Sequence, residues 1–321
     1  MSSQVIFNII SIISIGYLFL YSIFMLLGLF IGIFTLYSNR ENKKFKNVIK
    51  RDYYLPISII TPAFNESLII IKSIESLLKL DYKNFELIIV DDGSTDNTSQ
   101  LVIDKYNLIK VDKMIIGTLD SQPVKAYYEG SSNGIDIVLV IKENGKKGDS
   151  SNAGINVAKY GYVMIMDIDT ILPKNSLEEL MIPIMLSSKT IAVGSNVRLL
   201  NNYSVIDGEL IENTKAPNFL TGIQELMYAR SFLSTKFLFN AINCNTNISG
   251  AQGLFKKSIL MDIGGYNTST IAEDMDIIIR LHKYCLENNI EYEIKYTEDV
   301  RSLSTMGCLC WSFCSTSSLV E

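Results

Sequence analysis

Four short clusters in this chain combine residue types that could do chemistry with positions where an apolar run ends or a helix begins. Asp167-Ile-Asp169 follows the apolar run Tyr162-Val-Met-Ile-Met166. Carboxylates at i and i+2 of a strand end point the same way, and two of them can bind a hard divalent cation through oxygen. Asp91-Asp92 ends a second apolar run and opens Gly93-Ser-Thr-Asp96. A carboxylate there could accept hydrogen bonds from a base N–H or from ribose hydroxyls, although Asp-Gly-Ser-Thr-Asp is also a good turn sequence in its own right. Glu273-Asp274 stands at the start of a helical pattern. It could supply a general base, or it could be ordinary capping by acidic residues. Lys146-Lys147, set between Gly145 and Gly148, could place an ammonium beside a diphosphate, or it could be a solvated charge cluster.

The apolar pattern predicts the elements that would bring these clusters together. A buried strand over 56–61 runs into the loop Pro62-Ala-Phe-Asn-Glu66, and a helix over 67–78 comes next. Then come a strand at 85–90, a helix at 98–106, a strand at 138–141, a helix at 150–159 and a strand at 162–166. Strands alternating with helices of this length predict an α/β fold with βαβ units and a mainly parallel sheet flanked by helices. Such sheets bind ligands beyond the carboxyl ends of their strands. By that rule Asn65, Glu66, Asp91, Asp92, Asp167 and Asp169 gather along one edge. Residues 112–136 read as an irregular insertion. Beyond 187 the pattern weakens to a long helix at 219–241, a polar turn at 243–250 and a short helix from 258. The turn Gly264-Gly-Tyr-Asn267, a helix from 272 to about 288 and a strand at 291–296 complete it, with no pattern after 300.

The rest of the chain sets the surroundings. Residues 1–39 contain no charged side chain, and 16–34 is the best apolar span within them. About 20 such residues cross a bilayer as a helix, so one N-terminal transmembrane helix is expected. A cleaved signal peptide would need a basic start and a small-residue cleavage site. Residues 40–51 carry six basic side chains against Glu41 alone, a local +5. Cationic flanks stay on the cytoplasmic side. Taking +5 from the whole-chain net charge of −5 leaves −10 for the residues after Arg51, which argues against nucleic acid as a partner. Cys244 and Cys285 are isolated, and Cys308, Cys310 and Cys314 crowd the tail. This is not the spacing of a secreted disulfide framework. His282 is the sole histidine, so a histidine-based triad or zinc hydrolase site is excluded; we read it as a structural or surface residue.

Taken in order, the motifs resemble those of family 2 glycosyltransferases of the GT-A fold, in particular the membrane-bound processive synthases of β-linked polysaccharides. The resemblance rests on Ile60-Thr-Pro-Ala-Phe-Asn-Glu66, Val90-Asp-Asp-Gly-Ser-Thr-Asp96, Lys147-Gly-Asp-Ser-Ser-Asn-Ala-Gly154 and Asp167-Ile-Asp169. Ser249-Gly-Ala251, Gly264-Gly-Tyr266 and Ala272-Glu-Asp274 complete it. It implies a GT-A domain at 55–300, with a nucleotide-sugar half at 55–186 and an acceptor half at 187–300. The transmembrane helix at 1–39 and a basic cytoplasmic linker at 40–54 would precede that domain. Thr61, Pro62, Glu66, Asp91 and Asp92 would form the nucleoside pocket. Lys147 would approach the diphosphate, with Asp149 and Asn152 near the donor. Asp167 and Asp169 would hold Mg or Mn, Asp274 with Glu273 beside it would supply the catalytic base, and Ser249, Gly250 and Ala251 would border the acceptor. The implied reaction is inverting transfer from a UDP-sugar to a growing polysaccharide, of N-acetylglucosamine type, or alternatively to a lipid-linked acceptor.

Two departures from the family pattern carry their own expectations. Lys146 stands where a second glycine is common. The Gln-x-x-Arg-Trp motif and the further membrane helices of the synthases have no counterpart, and the only tryptophan, Trp311, lies in Cys-Leu-Cys-Trp-Ser-Phe-Cys. Residues 301–321 read as an irregular tail, as after a frame change or truncation. On that reading the chain as given binds UDP with metal yet polymerises little, or is a catalytically silent nucleotide-binding product.

Overall fold

In the computed structural model the described residues are 3–46, 55–112, 118–199, 203–206, 209–212, 222–223, 226–227, 230–270 and 272–304. The first half of the chain gives α1 (Ser3–Lys46), β1 (Ile57–Ala63), α2 (Ile70–Leu77), β2 (Phe85–Asp91) and α3 (Thr98–Tyr106). It continues through β3 (Ile109–Val111), β4 (Val124–Ser132), β5 (Ile135–Lys142), α4 (Lys146–Val157) and β6 (Tyr162–Met166). After α5 (Ser176–Leu186) and β7 (Thr190–Leu199) a small hairpin pairs β8 (Tyr203–Ile206) with β9 (Glu209–Glu212). A π-helical turn (Ser231–Lys236) leads into α6 (Phe237–Ala241), and then come β10 (Gln252–Lys256), α7 (Lys257–Asp262), α8 (Glu273–Glu287) and β11 (Glu293–Ser304).

Nine strands form one sheet in the order β11-β7-β10-β6-β1-β2-β5-β4-β3. Its centre, β6-β1-β2-β5, is parallel, and both flanks bring in antiparallel pairs through β10 and β4. The sheet is therefore mixed around a parallel core. Side chains alternate across the sheet with period two. Ile57, Ile59, Leu87, Ile89, Ile137, Leu139, Met164 and Met166 pack on one face with apolar residues of α2, α3 and α5. Ile60, Ile88, Val90, Val138, Val140, Val163 and Ile165 pack on the other with α4, α7 and α8. Helix α4 lies so close to the sheet that a Cβ at Gly154 would overlap Ile60 Cγ2.

Several elements depart from the sequence reading. The segment expected to be an irregular insertion contains β4, which forms a hairpin with β5 through Asn133 and Gly134. Both turn residues have positive φ (54° and 78°), the geometry that favours Asn-Gly in a two-residue hairpin. Strands β7 and β10 were not expected. β11 extends to Ser304, past the point where pattern was expected to end. The described part of the helix expected at 219–241 includes a π-helical turn and the short α6. The cysteines and tryptophan of the tail lie outside the described residues.

The polar run after α6 has a definite task. Asn243 Nδ2 donates to Tyr292 O (2.8 Å), and Ile294 N donates to Asn243 Oδ1 (2.8 Å). Asn245 Nδ2 donates to Ile294 O (3.1 Å), while Asn240 exchanges bonds with the Tyr296 backbone. Asparagine side chains thus satisfy the outer edge of β11, an edge that would otherwise present unpaired backbone groups. His282 joins the same structure: its Nε2 lies 2.7 Å from Asn245 O and its Nδ1 2.6 Å from the Tyr292 hydroxyl.

Helix α1 is of another kind. Gln4–Thr35 is long and apolar enough to cross a membrane, with mean hydropathy 2.3, and its large side chains are mostly exposed. It packs on the π-helical turn and α6, where the Phe24 and Phe239 rings lie 6.5 Å apart.

Candidate active site

The parallel register carries the loops after β1, β2 and β6 to one edge, since Ala63 pairs with Asp91 and Ile60 with Ile165. Strand β10 runs the opposite way, with Gln252 paired to Met166. Its leading residues, Ser249 and Gly250, therefore lie at that same edge. The start of α4 reaches it from β5, and the start of α8 completes the ring.

At the centre stands Lys147. Its ammonium lies 2.6 Å from Asp167 Oδ1 and donates to the Gly250 carbonyl at 3.0 Å. The Asp274 carboxylate is beside it, held by the Gly250 N–H. A Cβ at Gly250 would overlap the Asp274 carboxylate and crowd Lys147 Nζ, so glycine is what lets these groups meet. The N-cap of α8, Ala272, has no side-chain capping bond. Asp274 turns to Gly250, while Glu273 and Asp274 both stand in the first turn of α8. Ser249, Gly250, Lys147, Tyr266 and Asp274 line one small cavity together with apolar residues of β6, β10 and α8.

Electrostatics mark the same place. Burial raises the Asp274 carboxyl above its ordinary range, and Glu273 and Asp167 add to the effect while Lys147 opposes it. Burial also raises Asp167, opposed by Lys147 and reinforced by Asp169 and Glu273. Glu66 is raised by burial and then by Asp169, Asp96 and Asp167. These shifts bring the loop after β1 into the field of the Asp167-Ile-Asp169 cluster. Mutual repulsion among carboxylates favours either protonation or a cation between them. Among the described residues no three His, Cys, Asp or Glu side chains are grouped to hold a metal by themselves. The donor set here fits a hard cation that takes part of its shell from a bound phosphate.

The loops after β1 and β2 are stitched together. Asn65 N donates to Ser94 Oγ (2.9 Å), Thr95 N to Asn65 Oδ1 (2.8 Å) and Glu66 N to Thr98 Oγ1 (2.9 Å). Bonds from Thr98 hold the Asp96 carboxyl down to about 2. Asn65 has φ +55°, a conformation asparagine tolerates better than most residues. Pro62 sits near the end of β1. Thr61 is buried, with its hydroxyl at 3.5 Å from Ile88 O.

Four residues expected in the nucleoside pocket or near the donor have polar atoms bonded to the protein. Asp91 accepts from Ser94 N (2.8 Å) and from the Ser99 hydroxyl, capping its own turn. Asp92 accepts from Gly145 N (2.9 Å) and Lys146 N (2.8 Å), which fixes the approach to α4. Asp149 accepts from Gln122 N at 2.9 Å. Asn152 donates to Asp120 O and Tyr266 O and accepts from Tyr266 N at 2.7 Å. Its fellow clamp is Arg280, which donates to Ile263 O and Gly265 O. Gly265 has φ +68°, and a Cβ there would overlap Asn152 Oδ1. This turn locks α4 to α8, and with them Lys147 to Asp274. Asp149 and Asn152 are thus supports of the site in this geometry.

Sequence reasoning missed Lys142. It is fully buried at the end of β5, donating to Asp92 Oδ1 (2.7 Å) and Glu143 O (2.6 Å) and meeting Asp149 Oδ1 at 2.5 Å. A lone lysine closing an apolar strand was the available signal.

With this geometry in view, the likeness to known proteins is informative. Residues 58–114 match the family model described as Glycosyl transferase family 2, and residues 162–301 match Glycosyl transferase family group 2. A poly-β-1,6-N-acetyl-D-glucosamine synthase of Staphylococcus aureus is 28% identical over 270 residues, 83% of this chain and 56% of the relative. The enzyme of that name from Staphylococcus epidermidis is 28% identical over 255 residues, covering 79% and 49%. The chain spans about half the length of these curated relatives. Among solved structures, a mannosyltransferase from Pyrobaculum calidifontis, PcManGT, in complex with GDP-Man and Mn2+, aligns with TM-score 0.55 at 16% identity. It covers 82% of this chain and 60% of that one. S. aureus TarS aligns with TM-score 0.50 at 18% identity, covering 78% and 60%. The fold is that of the GT-A neighbours.

Proposed function

Because the chain belongs to glycosyltransferase family 2, we propose that it transfers a sugar, with inversion, from a UDP-sugar to a β-linked polysaccharide of N-acetylglucosamine type. One observation carries the reading: Lys147 stands between Asp167 and the Asp274 carboxylate held by Gly250. A cationic group for the leaving diphosphate and a base for the incoming hydroxyl are thereby side by side.

In this account the nucleoside lies between the loops after β1 and β2, walled by Thr61, Pro62, Glu66 and the Asp91-Asp92 turn. Asp167 and Asp169 are the residues that would hold Mg or Mn, which would neutralise charge on the diphosphate. Ser249, Gly250 and Ala251 border the acceptor. The acceptor oxygen attacks the anomeric carbon from the face opposite the diphosphate. The bond to the diphosphate oxygen breaks, its electron pair leaves with UDP, and the acceptor proton passes to Asp274. Burial raises the proton affinity of Asp274, which makes it a stronger base than an ordinary exposed carboxylate. Lys147 opposes that effect and keeps the group from protonating too early. We assign the domain a nucleotide-sugar half and an acceptor half, and read α1 as a membrane anchor whose basic flank keeps the domain cytoplasmic.

The test is to incubate the purified chain with UDP-N-acetylglucosamine, Mn2+ and a short β-linked N-acetylglucosamine oligosaccharide. The product should be the acceptor lengthened by one sugar, with a β bond by NMR. An α bond, or donor left intact by a chain that also shows no Mn2+-dependent UDP binding, would contradict the proposal. Intact donor with metal-dependent UDP binding would instead mark the chain as the catalytically silent product expected from its sequence.

A further inference from the structure

Lys236 lies outside the ring of carboxylates, in the π-helical turn on which α1 packs. Its ammonium donates to Asn247 O at 3.0 Å and to Asn247 Oδ1 at 2.5 Å, and it stands 4.1 Å from the centre of the Tyr296 ring. The Tyr296 hydroxyl donates to the same Asn247 carbonyl at 2.7 Å, and the Ser249 N–H faces its oxygen. The ring has room because residue 194 is glycine: a Cβ there would crowd both Tyr296 and Ile248. Lysine, tyrosine and asparagine thus converge on the three residues that precede Gly250, whose N–H holds Asp274 and whose carbonyl receives Lys147.

We propose that Lys236 is a positioning residue for the acceptor side of the site, clamping Asn247 and Tyr296 so that the Ser249–Gly250 backbone stays fixed against Asp274. The inference rests on the transferase reading for its functional meaning, but the clamp itself is a physical claim. Burial lowers the Lys236 ammonium to about 8, a cost that a surface lysine would not bear. Two acceptors on one asparagine and a tyrosine face offset part of it. The asparagines at 240, 243 and 245 bond the β11 edge, whereas Asn247 turns to Lys236 and leaves the chain free to continue into the site. Because α1 covers the turn that carries Lys236, the clamp also joins the apolar N-terminal helix to the acceptor border.

The test uses the full chain with Lys236→Met, Lys236→Arg and Tyr296→Phe. Amide hydrogen exchange should quicken at Ser249 and Gly250 by roughly tenfold in Lys236→Met, with β1 and β2 amides unchanged. The KM for the oligosaccharide acceptor should rise by about tenfold while calorimetric UDP affinity stays the same. Lys236→Arg should restore much of both. Unchanged exchange at Ser249 and Gly250, or UDP affinity falling in step with acceptor use, would overturn the proposal. If Lys236→Met fails to fold, Tyr296→Phe decides, since it removes only a hydroxyl and should loosen the same two amides. Should the wild type bind no UDP, the transferase reading fails, while the exchange data still decide whether the clamp exists.

Discussion

Asp274→Asn should leave UDP affinity nearly unchanged and lower single-sugar transfer by about 10²–10⁴-fold, the usual loss when a general base is removed. The amide keeps the shape of the carboxylate and can still accept from the Gly250 N–H, so the fold is not strained. What it loses is the capacity to take a proton. The wild-type pH profile should carry the same signature. Burial raises the Asp274 carboxyl, and the base works only when ionised. Transfer should therefore fall, as pH drops, at a value above the ordinary carboxylate range, and this acid limb should vanish from the residual activity of the variant. Transfer by Asp274→Asn at the wild-type rate would return the residue to ordinary capping of α8.

Lys142→Met should destabilise the domain by about 3–5 kcal/mol, because it strands two buried carboxylates that shared one cation. Asp92 and Asp149 are almost fully buried, and Lys142 lies 2.7 and 2.5 Å from them. Methionine fills the space of the stem but returns no charge. The loss should also reach the site, because Asp92 holds Gly145 N and Lys146 N, one residue before Lys147. Adding Asp92→Asn and Asp149→Asn to Lys142→Met should recover part of the stability, since neutral amides are cheaper to bury than unpaired charges. Denaturant titration of the three forms checks this. Equal midpoints for wild type and Lys142→Met would mean that the buried cation contributes nothing net.

The gathering of the carboxylates at one sheet edge was legible from the sequence, for a physical reason. β1, β2 and β6 are buried on both faces, so they read as continuous apolar runs, and the polar residues that end them mark the ligand edge of a parallel sheet. Asp167 and Asp169 needed only that rule. Lys142 did not yield to it, because its burial makes sense only with Asp92, fifty residues away, and Asp149 already in place. Asp149 and Asn152 were placed near the donor by the family resemblance alone, and a single sequence could not show that their polar atoms bond to Gln122 N and to the Tyr266 backbone. α4 is buried from Gly148 to Val157, so it offers no polar face from which to judge. β7 was obscured by Gly194, a poor strand residue kept for the Tyr296 ring, and β10 by Gln252 and Gly253 at its start, which break the apolar pattern. The hairpin of β4 and β5 had its signal in Asn133-Gly134, a turn dipeptide lying inside a segment read as irregular. Residues 243–250 were read as a polar turn, whereas Asn243 and Asn245 serve a strand edge that appears only once β11 is paired with β7.

The central claim is that this sheet edge is a metal-dependent site for a UDP-sugar, and calorimetric titration with UDP tests it most directly. Wild-type affinity should rise on adding Mn2+, because the diphosphate otherwise meets a carboxylate cluster relieved by Lys147. Asp169→Asn should weaken UDP binding by about tenfold with metal present, a change of ~1.4 kcal/mol, and should have little effect without it. UDP affinity that is the same with and without Mn2+, in wild type and Asp169→Asn alike, would contradict the account.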